Sequence, residues 1–320
     1  MGTSASGRAL TVAEGFVHEI GIYSSDEEFR ELICPFAYEG LAADEPLVFA
    51  YDPEKTAMLR SWLPASLIIS YVTDSAPYAT PGKALAAWRR LAEERLAHGA
   101  RRVRIAGDVP HPGYGRPFAG WDRYEAAIDQ AWGDIPVWAP CLYDARRTPP
   151  DVIERASRRH RRLRGKDGSW QANSRFQPPQ QLSDFLVPAP DPLESTAPLL
   201  TLTEASPREM RAALRPLAEE AIGATATEEV LLAVSEACTN ARVYGEPPAR
   251  VTVWSGKGRL VVTVADDGPG PSDPLVGLLP AACDAEGGRG LWLSQQLDLE
   301  VTPITTPDGF TLRIRAGASL

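Results

Sequence analysis

Short apolar segments alternate with amphipathic ones between Phe16 and His160, and this alternation constrains the fold more than any other feature of the chain. Strand-like runs alternate with helix-like runs along the chain. Ser25 and Glu28 predict a capping box, which marks the start of one helix. Strands that are joined through helices form mostly parallel sheets covered on both faces. The pattern predicts an α/β fold with strands at 16–23, 45–51, 67–72, 102–107 and 137–143 and helices at 53–63, 81–98 and 121–131.

Length and composition limit the class of protein. The 320 residues suit two domains, and 44% hydrophobic with 23% charged residues is typical of a globular protein. A net charge of −9 argues against direct nucleic-acid binding and leaves room for a basic protein partner. No apolar run approaches the roughly 18 residues of a membrane span, and the first ten residues lack an apolar core. We therefore expect a cytoplasmic protein with no membrane partner, whose four scattered cysteines are reduced thiols.

Two segments separate the halves of the chain. Residues 155–166 carry seven basic side chains, which predict either a solvated helix end or a contact surface for an acidic partner or the other domain. Residues 166–198, rich in Pro, Gln and Ser, are expected to form a linker or a loosely docked arm. A second domain begins near residue 199. Its first helix is predicted to start at Ser206, Pro207 and Glu209 and to end at Gly223. The second helix is predicted to start at Thr225 or Thr227.

Glu236 and Asn240 stand four residues apart in a helix predicted to end near Tyr244, so they share one helix face. Asparagine is a poor residue for a helix interior, and its amide oxygen suits Mg²⁺. A carboxylate beside it can act as general base on an attacking hydroxyl or water. Taken alone, the pair also fits an ordinary exposed Glu/Asn pair.

Two glycine-rich motifs follow. Asp266 ends a predicted strand before Gly268 and Gly270, so its carboxylate can accept a hydrogen bond from the amine of adenine while the glycines let the backbone approach the base. Gly287-Gly-Arg-Gly290 precedes a helical segment, and backbone N–H groups at such a start bind phosphate. The segment between the motifs can close over a nucleotide as a lid. Alone, each motif also fits a simple turn or helix start.

In this order and within about sixty residues, the motifs resemble the ATPase fold shared by gyrase, heat-shock chaperones, mismatch-repair proteins and histidine kinases, the GHKL superfamily. The segment Ala233–Ala241 is similar to the anti-sigma-factor serine kinases of Gram-positive bacteria. The resemblance covers residues 199–317 and implies a Bergerat-type α/β sandwich that binds ATP and Mg²⁺. One departure is Tyr244, where these kinases often carry histidine. The implied roles are Glu236 as catalytic base, Asn240 as Mg²⁺ ligand, Asp266 as adenine contact, and Gly268, Gly270, Gly288, Arg289, Gly290 and Leu291 as the nucleotide cradle.

The first half, residues 12–165, resembles the MEDS sensory domain first described in methanogens and methylotrophs. The resemblance implies a RecA-like three-layer α/β core. Gly82 and Lys83 could end a Walker A motif, but the motif needs a glycine five residues before Gly82, where Pro77 stands. No nucleotide hydrolysis is therefore expected in this half. A small-molecule ligand is expected in the crevice at the strand ends. The residues that carry the resemblance are His18 with Tyr23, Phe36–Leu41, Arg123-Tyr-Glu125, and Cys141–Asp144 followed by His160.

A metal site in this half is not supported by the spacing of its candidate ligands. Buried or capping roles are favoured instead for His18, Cys34, Cys141 and His160.

The two resemblances together imply an anti-sigma regulatory factor that is controlled by its amino-terminal sensor. It would phosphorylate a Ser or Thr of an anti-anti-sigma (STAS-type) protein with ATP and Mg²⁺, and bind a sigma factor. One alternative is a non-catalytic module, in which ATP orders the lid and partner sequestration is the function. Another is a histidine kinase with His160 as acceptor, although His160 lacks an adjacent acidic residue and long paired helices. The oligomeric state, a homodimer included, stays open.

Overall fold

The computed structural model of the chain describes residues 15–72, 78–181, 185–186, 188–256, 258–280 and 289–317. The chain divides into two compact units, residues 1–78 with 84–182, and residues 183–320 with 79–83. None of the helices in the described ranges combines the length and hydropathy that a membrane span requires.

A mostly parallel sheet organises the amino-terminal half. Within the described residues, its elements are β1 (Val17–Tyr23), α1 (Asp26–Ala42), β2 (Leu47–Ala50), α2 (Pro53–Trp62), β3 (Ile69–Tyr71), α3 (Pro81–Ala97), β4 (Val103–Gly107), α4 (Trp121–Trp132), β5 (Val137–Asp144), α5 (Pro150–Arg159), β6 (Arg162–Arg164) and β7 (Trp170–Ala172). The sheet order is β3-β2-β4-β5-β1-β6-β7, and only β6 with β7 is antiparallel. β2 and β5 are buried along their whole length, as expected for strands covered on both faces. The predicted α/β class is confirmed.

Local details of this sheet depart from the predicted elements. Ser25 caps α1 by accepting the Glu28 N–H, as predicted. The Glu28 carboxylate, however, accepts from Ser24 rather than from Ser25, so only half of the capping box forms. β3 is shorter than the predicted strand at 67–72, because Leu67 is fully exposed and lies outside the sheet.

Part of the basic run at 155–166 is buried. α5 ends at Arg159, and the chain then turns into β6, which pairs in parallel with β1. Arg164 Nη1 lies 2.8 Å from Glu19 Oε1, and both side chains are fully buried. The run therefore does not form a single solvated helix end, because a strand carries part of it into the core and a carboxylate neutralises the charge there.

The predicted linker at 166–198 has structure at both ends within the described residues. β7 joins the first sheet. Further along, Asp191 is 2% exposed, and its Oδ1 lies 3.0 Å from Arg259 Nη2. Asp191 also caps a short 3-10 helix, Pro192–Ser195. The end of this segment is thus anchored in the second unit by a buried ion pair that composition does not reveal.

The second unit is an antiparallel sheet covered by two long helices. Its described elements are β8 (Leu200–Thr203), α6 (Pro207–Ile222), α7 (Ala224–Tyr244), β9 (Arg250–Gly256), β10 (Arg259–Asp266), α8 (Arg289–Ser294), β11 (Glu300–Thr306) and β12 (Gly309–Gly317). The strand order is β11-β12-β10-β9-β8, antiparallel throughout. α6 and α7 pack on this sheet and bury Leu214, Val234 and Val262 in a common core. The predicted α/β sandwich is confirmed.

The two long helices differ in how they begin. Ser206 caps α6 and forms a complete capping box with Glu209, as predicted. α7 begins directly after Gly223, so the prediction of Thr225 or Thr227 as its N-cap is wrong. The reason is that Gly223 is both the residue at which α6 ends and the residue after which α7 begins. The Thr227 hydroxyl lies inside the first turn and donates to the Gly223 carbonyl at 2.8 Å.

Candidate functional site

A cavity of about 320 Å³ lies between α7 and one end of the antiparallel sheet. Its wall is mainly apolar, with Ala237 and Ala241 from α7 and Val264 from β10. Asn240 and Asp266 are among its few polar residues. An apolar cavity with a few placed polar groups is the usual form of a small-molecule site, and it suits the flat face of an aromatic base.

Asp266 places a buried carboxylate at this cavity. It is the last residue of β10 and is 6% exposed. Its Oδ1 accepts the Gly268 N–H at 2.9 Å and the Glu246 N–H at 3.3 Å. These bonds fix the side chain and leave Oδ2 to accept from a ligand amine. The predicted residues Asp266 and Gly268 are therefore brought together by a local turn.

Gly270 belongs to the cavity wall, and its backbone requires glycine. Its φ is +74°, a conformation that costs other residues free energy, and a Cβ there would lie 2.7 Å from Phe310 Cδ2. Phe310 lies on β12 and lines the same cavity. The glycine thus allows the loop after β10 to lie directly on an aromatic ring of the neighbouring strand.

The predicted helix pair lies at the edge of the cavity. Asn240 lines it, and Glu236 lies one turn earlier on α7, partly buried. The Glu236 carboxylate is packed against the start of α8, since a Cβ on Gly290 would lie 2.0 Å from Glu236 Oε2. Only glycine fits this close approach without moving the carboxylate. The structure therefore brings Glu236 and Gly290, 54 positions apart in the sequence, into direct contact.

The remaining predicted cradle residues are only partly covered by the structure. Leu291 is buried and lines the cavity, whereas Arg289 is exposed. Gly288 lies outside the described residues, as does most of the glycine loop. Of the segment predicted as a lid, residues 271–280 are described, and Leu275 and Leu278 among them are buried.

Some lining residues were not predicted from the sequence. Val276, Phe310 and Leu312 lie in the cavity wall. Phe310 and Leu312 are on β12, well after the motifs, and no motif includes them. The strand pattern of β12 was the available signal, but it does not indicate which cavity the strand lines.

A second group of polar side chains is buried in the first unit. His18, Glu125, Cys141 and His160 each direct one ligand-type atom to a common point, and these atoms lie within 4.8 Å of one another. The spacing gave no sign of this cluster, yet three of the four candidates meet, because β1, β5 and the end of α5 converge, and all three are buried as expected. Cys34 is not in this cluster, and Glu125 from α4 takes its place.

Charge interactions within this cluster are strong. Burial opposes ionisation of Glu125, but His160 and His18 lower the pKa of its carboxyl below the usual value. Burial also lowers the pKa of His160 to about 4. The Cys141 thiol has its pKa raised to about 12, first by burial and then by Glu125. Without a further positive charge, the cluster therefore holds a thiol rather than a thiolate.

The crevice at the strand ends of the first unit also carries a buried charge. Lys55 at the start of α2 is 4% exposed, and its Nζ lies 2.6 Å from Asp108 Oδ1, just after β4. The rings of Tyr51 and Tyr114 lie 5.4 and 5.0 Å from the same ammonium. Burial raises the pKa of Asp108 even though Lys55 acts in the opposite direction. Aromatic and charged groups thus line the edge where α/β sheets bind ligands.

The fold and cavity define the second unit as an α/β sandwich of the nucleotide-binding type, and the first unit is a mostly parallel α/β domain. Residues 17–161 match the family model of the MEDS domain, the methanogen/methylotroph, DcmR sensory domain. Residues 200–316 match the model of the histidine kinase-like ATPase domain. The chain thus consists of a MEDS domain followed by a histidine kinase-like ATPase domain, which implies ATP binding.

Comparisons with individual proteins add little to the family matches. No curated protein matches the chain. Among solved structures, the chain is similar to the histidine kinase domain of a blue-light activated histidine kinase from Erythrobacter litoralis EL346, at 24% identity and a TM-score of 0.21. That match covers 33% of this chain and 58% of the other.

Proposed function

We propose that the ATPase domain is a Mg²⁺-dependent protein serine/threonine kinase. Adenine would lie in the apolar cavity, where Asp266 Oδ2 accepts a hydrogen bond from its exocyclic amine. Asn240 on the same cavity would supply one oxygen to Mg²⁺, which takes its other ligands from phosphates and water. The ion supplies charge neutralisation at the phosphates. Asn240 fits this role because Mg²⁺ in phosphate sites needs only one or two protein oxygens.

The close contact between Glu236 and Gly290 carries the proposal. It puts a carboxylate next to the last residue of the predicted phosphate loop, one helical turn before the predicted Mg²⁺ ligand Asn240. In the reaction, the Ser or Thr hydroxyl gives its proton to Glu236 and its oxygen bonds to the γ-phosphorus. The bond from that phosphorus to the β,γ-bridging oxygen breaks, and ADP leaves. Positioning and proton transfer are the contributions that these side chains make.

The protein substrate follows from the family resemblance of the α7 segment. We propose that it is an anti-anti-sigma protein of the STAS type, and that the domain also binds a sigma factor. The MEDS domain would control both activities through a small-molecule ligand. The net charge of −9 supports a basic protein partner rather than nucleic acid.

Transfer of label from ATP to purified anti-anti-sigma proteins tests this proposal. The full chain, ATP and Mg²⁺ should place acid-stable label on a Ser or Thr of the acceptor. Measured ATP binding with no label on any acceptor would contradict the kinase proposal.

That outcome would support a non-catalytic module that sequesters its partner while ATP is bound. Tyr244 favours this second candidate, since it occupies the position where the related kinases often carry histidine, and it lines the cavity. A histidine kinase acting on His160 is less well supported. That side chain is fully buried, with Nε2 3.4 Å from Glu125 Oε2. Acid-labile label on His160 would support the histidine kinase hypothesis.

A further inference from the structure

We propose that His18, Glu125, Cys141 and His160 form a tetrahedral site for one divalent transition-metal ion of the Zn²⁺ type in the MEDS domain. This proposal is independent of the kinase activity, since all four residues belong to the first unit.

The distances between the ligand-type atoms are those of a tetrahedral site. Zn²⁺ binds imidazole nitrogen, thiolate and carboxylate at about 2.0–2.3 Å, so the edges of the tetrahedron are about 3.3–3.8 Å long. His18 Nε2 lies 3.4 Å from Cys141 Sγ and 3.4 Å from Glu125 Oε2. Glu125 Oε2 lies 3.4 Å from His160 Nε2 and 3.7 Å from Cys141 Sγ. Four of the six edges of the tetrahedron thus have the expected length, and the other two are no longer than 4.8 Å.

The two histidines are oriented as metal ligands are. His18 Nδ1–H donates to Asp129 Oδ1 at 3.0 Å, and His160 Nδ1–H donates to the Ala156 carbonyl at 2.8 Å. In the neutral imidazole, each bond keeps the ring proton on Nδ1 and leaves Nε2 facing the cluster as the atom that can bind a metal. Such a carboxylate or carbonyl partner behind the ring is the usual support of a metal-binding histidine.

One ligand atom lacks a hydrogen bond, although it lies 3.4 Å from Glu125 Oε2. His160 Nε2 is buried and makes no hydrogen bond with any described residue. A buried polar atom without a hydrogen bond is destabilising, so its position needs a reason. Glu125 is supported in the same way as the histidines, because its Oε1 accepts from the Tyr143 hydroxyl and leaves Oε2 facing the cluster.

The strand register builds the site from separate elements. β1 and β5 are neighbours, with His18 opposite Ala139 and Cys141 opposite Ile20. Both ligands therefore point to the same face of the sheet. α4 supplies Glu125, and the residue that ends α5 supplies His160, on that same face. The four ligands meet only after the domain has folded.

The donor set selects the class of ion. Two imidazoles, one sulfur and one carboxylate oxygen suit Zn²⁺ or a similar borderline ion, whereas Mg²⁺ and Ca²⁺ prefer oxygen alone. A thiolate and a carboxylate together carry two negative charges, which a divalent ion balances. All four side chains are buried, so the site is closed, as in structural rather than catalytic zinc centres.

Cobalt substitution tests the site. The full chain is stripped with a chelator and titrated with Co²⁺ in the absence of ATP, because the site expected at Asn240 also needs phosphate oxygens. We expect one Co²⁺ per chain, visible bands of tetrahedral Co²⁺, a near-ultraviolet thiolate charge-transfer band, and loss of all three on adding Zn²⁺. Cys141→Ser should abolish the charge-transfer band. Cys34→Ser, which changes a cysteine of the same domain outside the cluster, should leave it unchanged.

A variant outside the ligand set keeps the proposal testable if Cys141→Ser does not fold. Asp129→Asn keeps a hydrogen-bond acceptor for His18 but removes the charge, and it should lower Zn²⁺ affinity about 10- to 100-fold. The proposal is overturned if folded wild-type protein shows no charge-transfer band with Co²⁺. It is also overturned if the band persists in folded Cys141→Ser protein, or if Asp129→Asn protein binds Zn²⁺ as tightly as the wild type.

Discussion

The ATPase cavity and the buried cluster of the MEDS domain differ in how they treat polar groups: the cavity is mainly apolar and has space, whereas the cluster is polar and packed. The cavity has about 320 Å³ of space, an apolar wall and a fixed carboxylate at Asp266. The cluster has four polar side chains packed against each other, all buried. A flat organic base can be held by apolar surface and one hydrogen bond, whereas buried polar atoms are stable only when each finds a partner. The first site has room for a ligand, and the second has to balance its own charges.

Glu236→Ala should produce the largest effect of any single change in the ATPase domain. We expect the phosphotransfer rate to fall about 10²- to 10⁴-fold, with ATP affinity nearly unchanged, because the base acts on the chemical step. Single-turnover label transfer and ATP titration measure the two quantities. Glu220→Ala on α6, an exposed change of the same kind, is the matched control. Wild-type transfer rates in Glu236→Ala would contradict the assignment.

Arg164→Met should destabilise the MEDS domain strongly. It leaves the buried Glu19 carboxylate without its partner, and breaking a buried ion pair costs about 3–5 kcal/mol. The double variant Glu19→Gln with Arg164→Met should recover most of this loss. Arg101→Met, an exposed site, should change stability by less than about 0.5 kcal/mol. Urea unfolding of the full chain measures all four proteins, and an Arg164→Met variant as stable as Arg101→Met would show that the pair contributes nothing.

Asp266→Asn should weaken ATP binding about 10- to 100-fold, since a hydrogen bond to a charged group contributes about 1.5–3 kcal/mol. The amide oxygen of Asn can still accept the Gly268 N–H, so the turn is kept. The NH₂ group replaces the second carboxylate oxygen, and it would face the adenine amine as a donor instead of an acceptor. Asp273→Asn changes another carboxylate of the same wall, one whose Oδ1 accepts the Leu275 N–H. Equilibrium ATP titration compares the two variants. Equal affinities would remove Asp266 from the adenine contact.

His111 should make the stability of the MEDS domain depend on pH, with a smaller effect. Burial, and then the charge of Lys55, lower the pKa of His111 to about 4, while its Nδ1 accepts the Gly113 N–H at 3.1 Å. In the unfolded chain, His111 binds a proton below about pH 6.5, whereas in the folded protein it does so only near pH 4. The stabilising contribution is therefore complete above pH 6.5 and is lost as the pH falls toward 4, by at most about 1.4 kcal/mol per pH unit.

His111→Asn keeps an acceptor near Nδ1 but cannot titrate, so it should reduce the slope of the pH profile in this range, to which His160 also contributes. His98→Asn, at an exposed histidine, should follow the wild type. Urea midpoints between pH 7 and pH 4.5 provide the comparison. A wild-type slope in His111→Asn would assign the pH dependence to other groups.

Sequence patterns predicted the features that depend on neighbouring residues. The capping box of Ser206 and the turn from Asp266 to Gly268 lie within a few residues and follow from local geometry. The paired Glu236 and Asn240 follow from the helical repeat. Predictions failed where distant parts meet. The buried position of Arg164 depends on Glu19, 145 residues earlier, and Phe310 reaches the cavity only through the order of the strands.

The two-domain α/β organisation and the order of the ATPase motifs can be predicted from the sequence, because apolar periodicity and helix or turn signals act over short stretches of chain. Which distant side chains share a site is set by the tertiary fold. It brought His18 and Cys141 together through parallel strand pairing, added Glu125 from a helix, and left Cys34 outside. It also placed Gly290 against Glu236. The physical reason is that strand order and helix packing are set by burial of the whole core, which no short segment encodes.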